Sequence, residues 1–184
     1  MLQSPAFPQP DPPRWTGQPI VLVGLMGAGK STVGRRLAAR LNLPFVDADS
    51  EIETAAGMSI PDIFERFGEP YFRDGERRVI ARLMTGGKRV IATGGGAFVD
   101  PDTRAAILAR GYAVWLDATP AVLADRVSRR DTRPLLRGRD PLVVLEDLAR
   151  VRNPFYALAP LHISSQRAPH DATVNAILKA LGQI

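Results

Sequence analysis

The chain has 184 residues, 24 Lys and Arg against 19 Asp and Glu for a formal net charge of +5, and no cysteine. Its length suits one domain around a single sizeable core. The missing cysteine excludes a disulfide framework, a thiolate zinc site and a cysteine nucleophile, and it fits a reducing compartment. No apolar run approaches the length of a membrane span. The densest basic cluster, Arg126-Val127-Ser128-Arg129-Arg130-Asp131-Thr132-Arg133, carries no interleaved aromatics. That argues against a nucleic-acid surface and for arginines that converge on anionic small molecules.

The first stretch, up to Pro19, holds Pro5, Pro8, Pro10, Pro12 and Pro13 and has no cationic region followed by an apolar one. It reads as a disordered leader over residues 1–18, neither signal nor transit peptide, ahead of a single domain over 19–184. Ile20-Val21-Leu22-Val23 is a short β-branched apolar run, suited to a buried parallel strand. It runs directly into G-L-M-G-A-G-K-S at Gly24 to Ser31, which fits the phosphate-cradling pattern G-x-x-x-x-G-K-[ST]. A helix over 31–43 follows, with Val33, Leu37, Ala38 and Leu41 on one face. Strand, glycine loop and helix in that order place backbone N–H groups and the positive end of a helix dipole around a phosphate. Gly27, Ala28, Gly29, Lys30, Ser31 and Thr32 are therefore the expected contacts to a nucleoside triphosphate, with Ser31 also able to ligate Mg²⁺.

Farther along, strand-like runs and helical patterns alternate. Strands are expected at 44–46, 90–93, 113–116 and 161–164. Helices are expected at 51–56, 60–67, 71–84, 100–109, 120–130, 141–157 and 173–181. This alternation predicts an α/β fold with a parallel sheet of five strands, and ligands gather at the carboxyl ends of such strands. Phe45-Val46-Asp47-Ala48-Asp49 closes the second strand with two carboxylates that alternation would put on one face. One could hold Mg²⁺ and the other accept hydrogen bonds from an alcohol, or Asp49 and Ser50 could simply cap the next helix. Phe72-Arg73-Asp74-Gly75-Glu76 places Arg73 and Glu76 on one side of a helix, where a solvated ion pair is the plain alternative. Asp74-Gly75 is a weak helical pair that could loosen Glu76. Gly94-Gly95-Gly96 directly follows the third strand and lets backbone approach a ligand closely. The segment 129–140, with Arg133-Pro134-Leu135-Leu136, is charged as a lid over phosphoryl transfer would be. Arg152-Asn153-Pro154-Phe155-Tyr156 supplies a further guanidinium late in a helix.

Taken together, G-L-M-G-A-G-K-S, F-V-D-A-D, F-R-D-G-E, G-G-G, R-P-L-L and R-N-P-F-Y occur in the order and approximate spacing of the shikimate kinases. The resemblance extends from about Pro19 to the C-terminus and implies the three-layer fold of P-loop kinases. It also implies ATP-dependent phosphorylation of the 3-hydroxyl of shikimate, a step towards chorismate and the aromatic amino acids. On this resemblance Lys30 meets the transferred phosphate, and Ser31 and Asp47 hold Mg²⁺. Asp49 orients the shikimate hydroxyls, Arg73 and Arg152 clamp its carboxylate, and Gly94, Gly95 and Gly96 line the pocket. Glu76 supports Arg73, and Arg133 is the lid arginine at ATP. Arg126, Arg167 and Pro169 fall where the nucleotide base packs. The residue chemistry agrees, because a carboxylate suits guanidinium forks and hydroxyls need acceptors. The implied partner is a small molecule, with no nucleic acid or membrane, bound by a monomer in the cytoplasm. A P-loop kinase for gluconate or a nucleoside monophosphate, and a ligand sensor without turnover, are the competing readings.

Overall fold

The structure, a computed structural model, describes residues 13–129, 138–167 and 169–184. Five strands form one sheet: β1 (Ile20–Val23), β2 (Phe45–Asp47), β3 (Val90–Ala92), β4 (Tyr112–Asp117) and β5 (Leu161–Ser164). Their order is β2-β3-β1-β4-β5, and every neighbouring pair is parallel. Central β1 is wholly buried on both faces, which explains its unbroken apolar run. The helices of the described residues are α1 (Lys30–Leu41), α2 (Ala48–Ala56), α3 (Ile60–Thr85), α4 (Pro101–Arg110), α5 (Pro120–Ser128), α6 (Pro141–Tyr156) and α7 (His170–Ala180). Sheet and helices share one hydrophobic core that runs from Ile20 to Leu181, and the half-buried Trp15 packs against it. None of these helices is long and apolar enough to cross a membrane.

The sheet follows the expected α/β plan, with shifted boundaries. β2 begins at Phe45 and ends at Asp47, and β4 extends one residue farther at each end than its apolar centre. The helices expected at 60–67 and 71–84 both lie within α3, which breaks at Gly68, non-helical at φ 78 and ψ 175, with Pro70 just beyond. Two helical segments thus meet at a sharp corner, which swings Arg73 back over the carboxyl end of the sheet.

Strand order decides where ligands can go. β1 lies between β3 and β4, so connections leave it to opposite sides and open a crevice beyond the strand ends. The register pairs Leu22 with Ala92 and Val23 with Trp115. The glycine loop after Val23 and the glycine run after Thr93 therefore emerge side by side. Thr93 reinforces this alignment, donating from both N and Oγ1 to the Leu22 carbonyl at 3.2 and 3.0 Å.

Candidate active site

The loop between β1 and α1 is held by backbone geometry that side chains would obstruct. Gly29 caps α1 at φ 91 and Gly27 sits at φ 81, both left-handed conformations that disfavour other residues. Lys30 folds back across the loop, donating from Nζ to the carbonyls of Gly24 at 2.8 Å and Leu25 at 2.9 Å. Two side chains from distant elements brace the outer side. Buried Ser165 donates from Oγ to the Ala28 carbonyl at 2.9 Å. Arg126 donates from Nη1 to Gly27 O at 3.2 Å and to Ser165 Oγ at 3.3 Å, and from Nη2 to Gln166 O. Arg126 thus ties α5, the phosphate loop and the end of β5 together. Nothing in the sequence around Ser165 signals its part in this, because the partner carbonyl is 137 positions away.

Ser31 and Asp47 meet next to the loop, with Ser31 Oγ donating to Asp47 Oδ2 at 2.9 Å. The other oxygen, Asp47 Oδ1, accepts from the Asp49 N–H at 3.1 Å and caps α2. Two expectations change here. Asp47 and Asp49 do not share a face as alternating strand residues, since β2 stops at Asp47 and Asp49 lies in the first turn of α2. The cap of that helix is Asp47 itself, rather than Asp49 or Ser50. One turn of helix nevertheless delivers both carboxylates to the cavity that Lys30, Ser31, Gly94 and Gly95 also line.

For Mg²⁺ the donor chemistry fits. A hydroxyl and a carboxylate oxygen in contact are hard oxygen donors, and Mg²⁺ usually takes only one or two protein ligands beside phosphates and water. Among the described residues, no group of three or more His, Cys, Asp or Glu side chains could hold a metal.

The neighbouring cleft is built from side chains. Arg73 donates from Nη1 to Glu76 Oε2 at 2.7 Å and reaches Glu69 Oε1 at 3.3 Å, with its guanidinium over the Phe72 ring. Glu76 is only 1% exposed. Burial pushes its carboxyl above the usual range against the pull of Arg73, and the neighbouring Asp49 charge pushes the same way. The Asp74-Gly75 pair does not loosen Glu76, which is locked onto Arg73 inside a continuous helical stretch.

The glycine run lies directly against these groups. A Cβ at Gly96 would fall 2.4 Å from Arg73 Nη2, and one at Gly94 would fall 2.8 Å from Asp49 Oδ1. One at Gly95 would come within 3.1 Å of Arg152 Nη1. Asp49, Arg73, Gly94, Gly95, Gly96 and Arg152 line one cleft together with Met26, Ile60, Phe72 and Glu76. Its acceptor and guanidinium groups suit a small polyhydroxylated acid, and its apolar wall suits a ring.

Tyr156 packs behind this cleft, although within R-N-P-F-Y only Arg152 carries a role read from the sequence. It is fully buried, and its hydroxyl donates to the Gly95 carbonyl. Its spacing of four from Arg152, one helical turn, is the signal that could have found it.

On the far side of the phosphate loop, Gly27, Gly29, Thr32, Arg126, Val127, Arg129 and His170 line a separate cleft. The His170 ring stands 3.1 Å from where a Gly29 Cβ would be. Pro169 caps α7 beside it, and both Pro169 and Arg167 are exposed. Arg133 and most of the expected lid, residues 130–137, lie outside the described residues.

A family model described as shikimate kinase matches residues 26–182. A shikimate kinase of Novosphingobium aromaticivorans is 58% identical over 174 residues, spanning 92% of this chain and 90% of that protein. The solved structure of shikimate kinase from Acinetobacter baumannii in complex with shikimate aligns with a TM-score of 0.84 at 39% identity, covering 89% of this chain and 92% of that one. A gluconokinase from Sinorhizobium meliloti shares the fold alone, at a TM-score of 0.58 and 19% identity over 92% of this chain and 94% of that one. With its phosphate loop and acceptor cleft meeting at Gly94 and Gly95, this chain belongs to the shikimate kinase family.

Proposed function

We propose that this chain transfers the γ-phosphoryl group of ATP to the 3-hydroxyl of shikimate, giving shikimate 3-phosphate and ADP. As a member of its family it is an ATP-dependent phosphotransferase of aromatic amino-acid biosynthesis. One observation carries the assignment of roles. Asp49, Gly94 and Gly95 line both the phosphate cavity and the guanidinium cleft, so an alcohol in one would face a phosphate in the other.

Bound triphosphate displaces Lys30 Nζ from the carbonyls of Gly24 and Leu25 towards the oxygens of the transferring group, where its charge stabilises the transition state. Ser31 and Asp47 would hold Mg²⁺, which would supply positive charge against the triphosphate. Asp49 accepts the hydrogen bond of the attacking hydroxyl and aligns it with phosphorus. The new bond joins that oxygen to phosphorus, the bond to the bridging oxygen of ADP breaks, and the hydroxyl proton is released to solvent. Arg73 and Arg152 take the carboxylate, Glu76 fixes Arg73, and the backbone of Gly94, Gly95 and Gly96 packs against the ring. Gly27, Ala28, Gly29 and Thr32 cradle the phosphates. Arg126, Arg167 and Pro169 border the base, and Arg133 reaches the triphosphate from a lid over 129–140. The catalytic unit is residues 19–184, preceded by the proline-rich leader, and works as a monomer in the cytoplasm.

The test is ADP release with shikimate and with gluconate under identical conditions. Shikimate-dependent release with none from gluconate is expected; comparable release from both would remove the substrate assignment. Arg133→Ala should lower kcat and leave shikimate affinity without nucleotide nearly intact.

A further inference from the structure

Tyr156 connects two parts of the acceptor cleft that lie 61 residues apart in sequence. Its ring sits at the end of α6, 0% exposed, with its centroid 6.1 Å from that of Trp115. The hydroxyl donates to the Gly95 carbonyl, and the Arg152 guanidinium one helical turn earlier lies beside the same oxygen. A phenol has one proton to give and lone pairs to receive with, so it can serve both neighbours at once.

We propose that Tyr156 is a positioning residue for the acceptor, holding the Arg152 guanidinium and the Gly95 peptide in the arrangement that receives a carboxylate. The inference rests on the reading of Arg152 as a carboxylate partner. An arginine side chain has many rotamers, and ordering it only when ligand arrives weakens binding. An oxygen already beside the guanidinium removes part of that cost. The glycine run has no side chains of its own to fix it. Its turns are closed by Ala97 N to Gly94 O at 3.2 Å and Val99 N to Gly96 O at 3.1 Å, while the carbonyl between them is held by Tyr156. Because the peptide is planar, fixing the Gly95 carbonyl also fixes the Gly96 N–H that points the opposite way. Burial pushes the phenol up to about 12, so the proton that makes this contact stays in place at neutral and mildly alkaline pH.

The test uses the full chain, with shikimate and its carboxamide compared as acceptors. Tyr156→Phe keeps the ring and removes the hydroxyl. It should raise KM for shikimate about three- to tenfold, the size of one hydrogen bond, with kcat and KM for ATP unchanged. KM for the carboxamide, which gains little from a guanidinium, should not move. In an Arg152→Ala background the same substitution should add nothing, as expected for groups that act as a unit. A KM rise equal for acid and carboxamide, no rise, or a loss carried by kcat or by ATP would overturn the proposal. If Arg152→Ala itself fails to distinguish acid from carboxamide, the carboxylate reading falls and takes this inference with it. If it distinguishes them and Tyr156→Phe does not, only this inference falls. Should Tyr156→Phe not fold, Tyr156→Met provides a second route, since an unbranched apolar chain can fill the buried site without a hydroxyl. It should give the same acid-selective rise, and an unselective one would count against the proposal.

Discussion

The phosphate end and the acceptor end of this cleft are neighbours in space but are made in different ways. The phosphate end is one continuous segment, Gly24 to Ser31, whose work is done by backbone N–H groups, a helix end and one lysine. The acceptor end gathers Asp49 from α2, Arg73 and Glu76 from α3, the glycines after β3, and Arg152 and Tyr156 from α6. A backbone cradle is stiff because strand and helix fix both its ends. A cleft of converging side chains depends on the contacts that hold each of them, which is why Arg73 is tied to Glu76 and Glu69 and Tyr156 to Gly95. The lesson is that damage at the two ends should differ in kind, one falling on the chemical step and the other on acceptor recognition.

The largest expected effect is at Lys30. Lys30→Ala should reduce kcat by about a hundredfold or more, since a preorganised charge on the transferring group typically contributes that much. Shikimate affinity in the absence of nucleotide should hardly change. Retention of more than about a tenth of the wild-type kcat would show that the lysine is not part of the chemical step. Next comes Arg152→Ala, which should raise KM for shikimate about ten- to a hundredfold, because a charge-assisted pair is worth about 1.5–3 kcal/mol. ATP should bind almost as before, and equal losses for both ligands would erase the distinction between the two ends.

Smaller effects concern stability. Burial raises the folded-state carboxyl of Glu76 above its usual 4.5, so the folded chain holds that proton more tightly than the unfolded one. The stability this provides is complete below the unfolded value and is lost as pH rises through the folded one. Melting curves of wild type and Glu76→Gln between about pH 4 and 7 should therefore converge towards the acid side and separate as pH rises. A wild-type advantage that grew with pH would mean that pairing with Arg73 outweighs burial. The smallest change is expected from Gly75→Ala. A Cβ there meets nothing within 4 Å, so the substitution should stabilise α3 by about 0.4–1 kcal/mol, read as a modestly higher Tm. A lower Tm would show that this stretch of helix needs the flexibility of glycine.

Several acceptor-side groups could be read from sequence only through their motifs, and the structure refines how they work. Asp47 and Asp49 do reach one cavity, but through a helix cap rather than strand alternation, because capping the first turn of α2 ends the strand early. The helical break near Gly68 was legible, since glycine and proline both interrupt the pattern there. Ser165, Arg126 and Tyr156 act through carbonyls of remote residues, and a backbone carbonyl leaves no mark in a sequence.

By itself the sequence determined the alternation of strands and helices, the phosphate loop and the family, because these rest on local patterns that the chain carries in consecutive residues. Only the tertiary structure decided which residues meet. The order β2-β3-β1-β4-β5 sets Thr93 and the glycine run beside the phosphate loop, and the corner at Gly68 returns Arg73 over them. The physical reason is that hydrophobic burial and strand pairing choose the packing of whole elements, while the polar side chains take the positions which that packing leaves at the carboxyl ends of the strands.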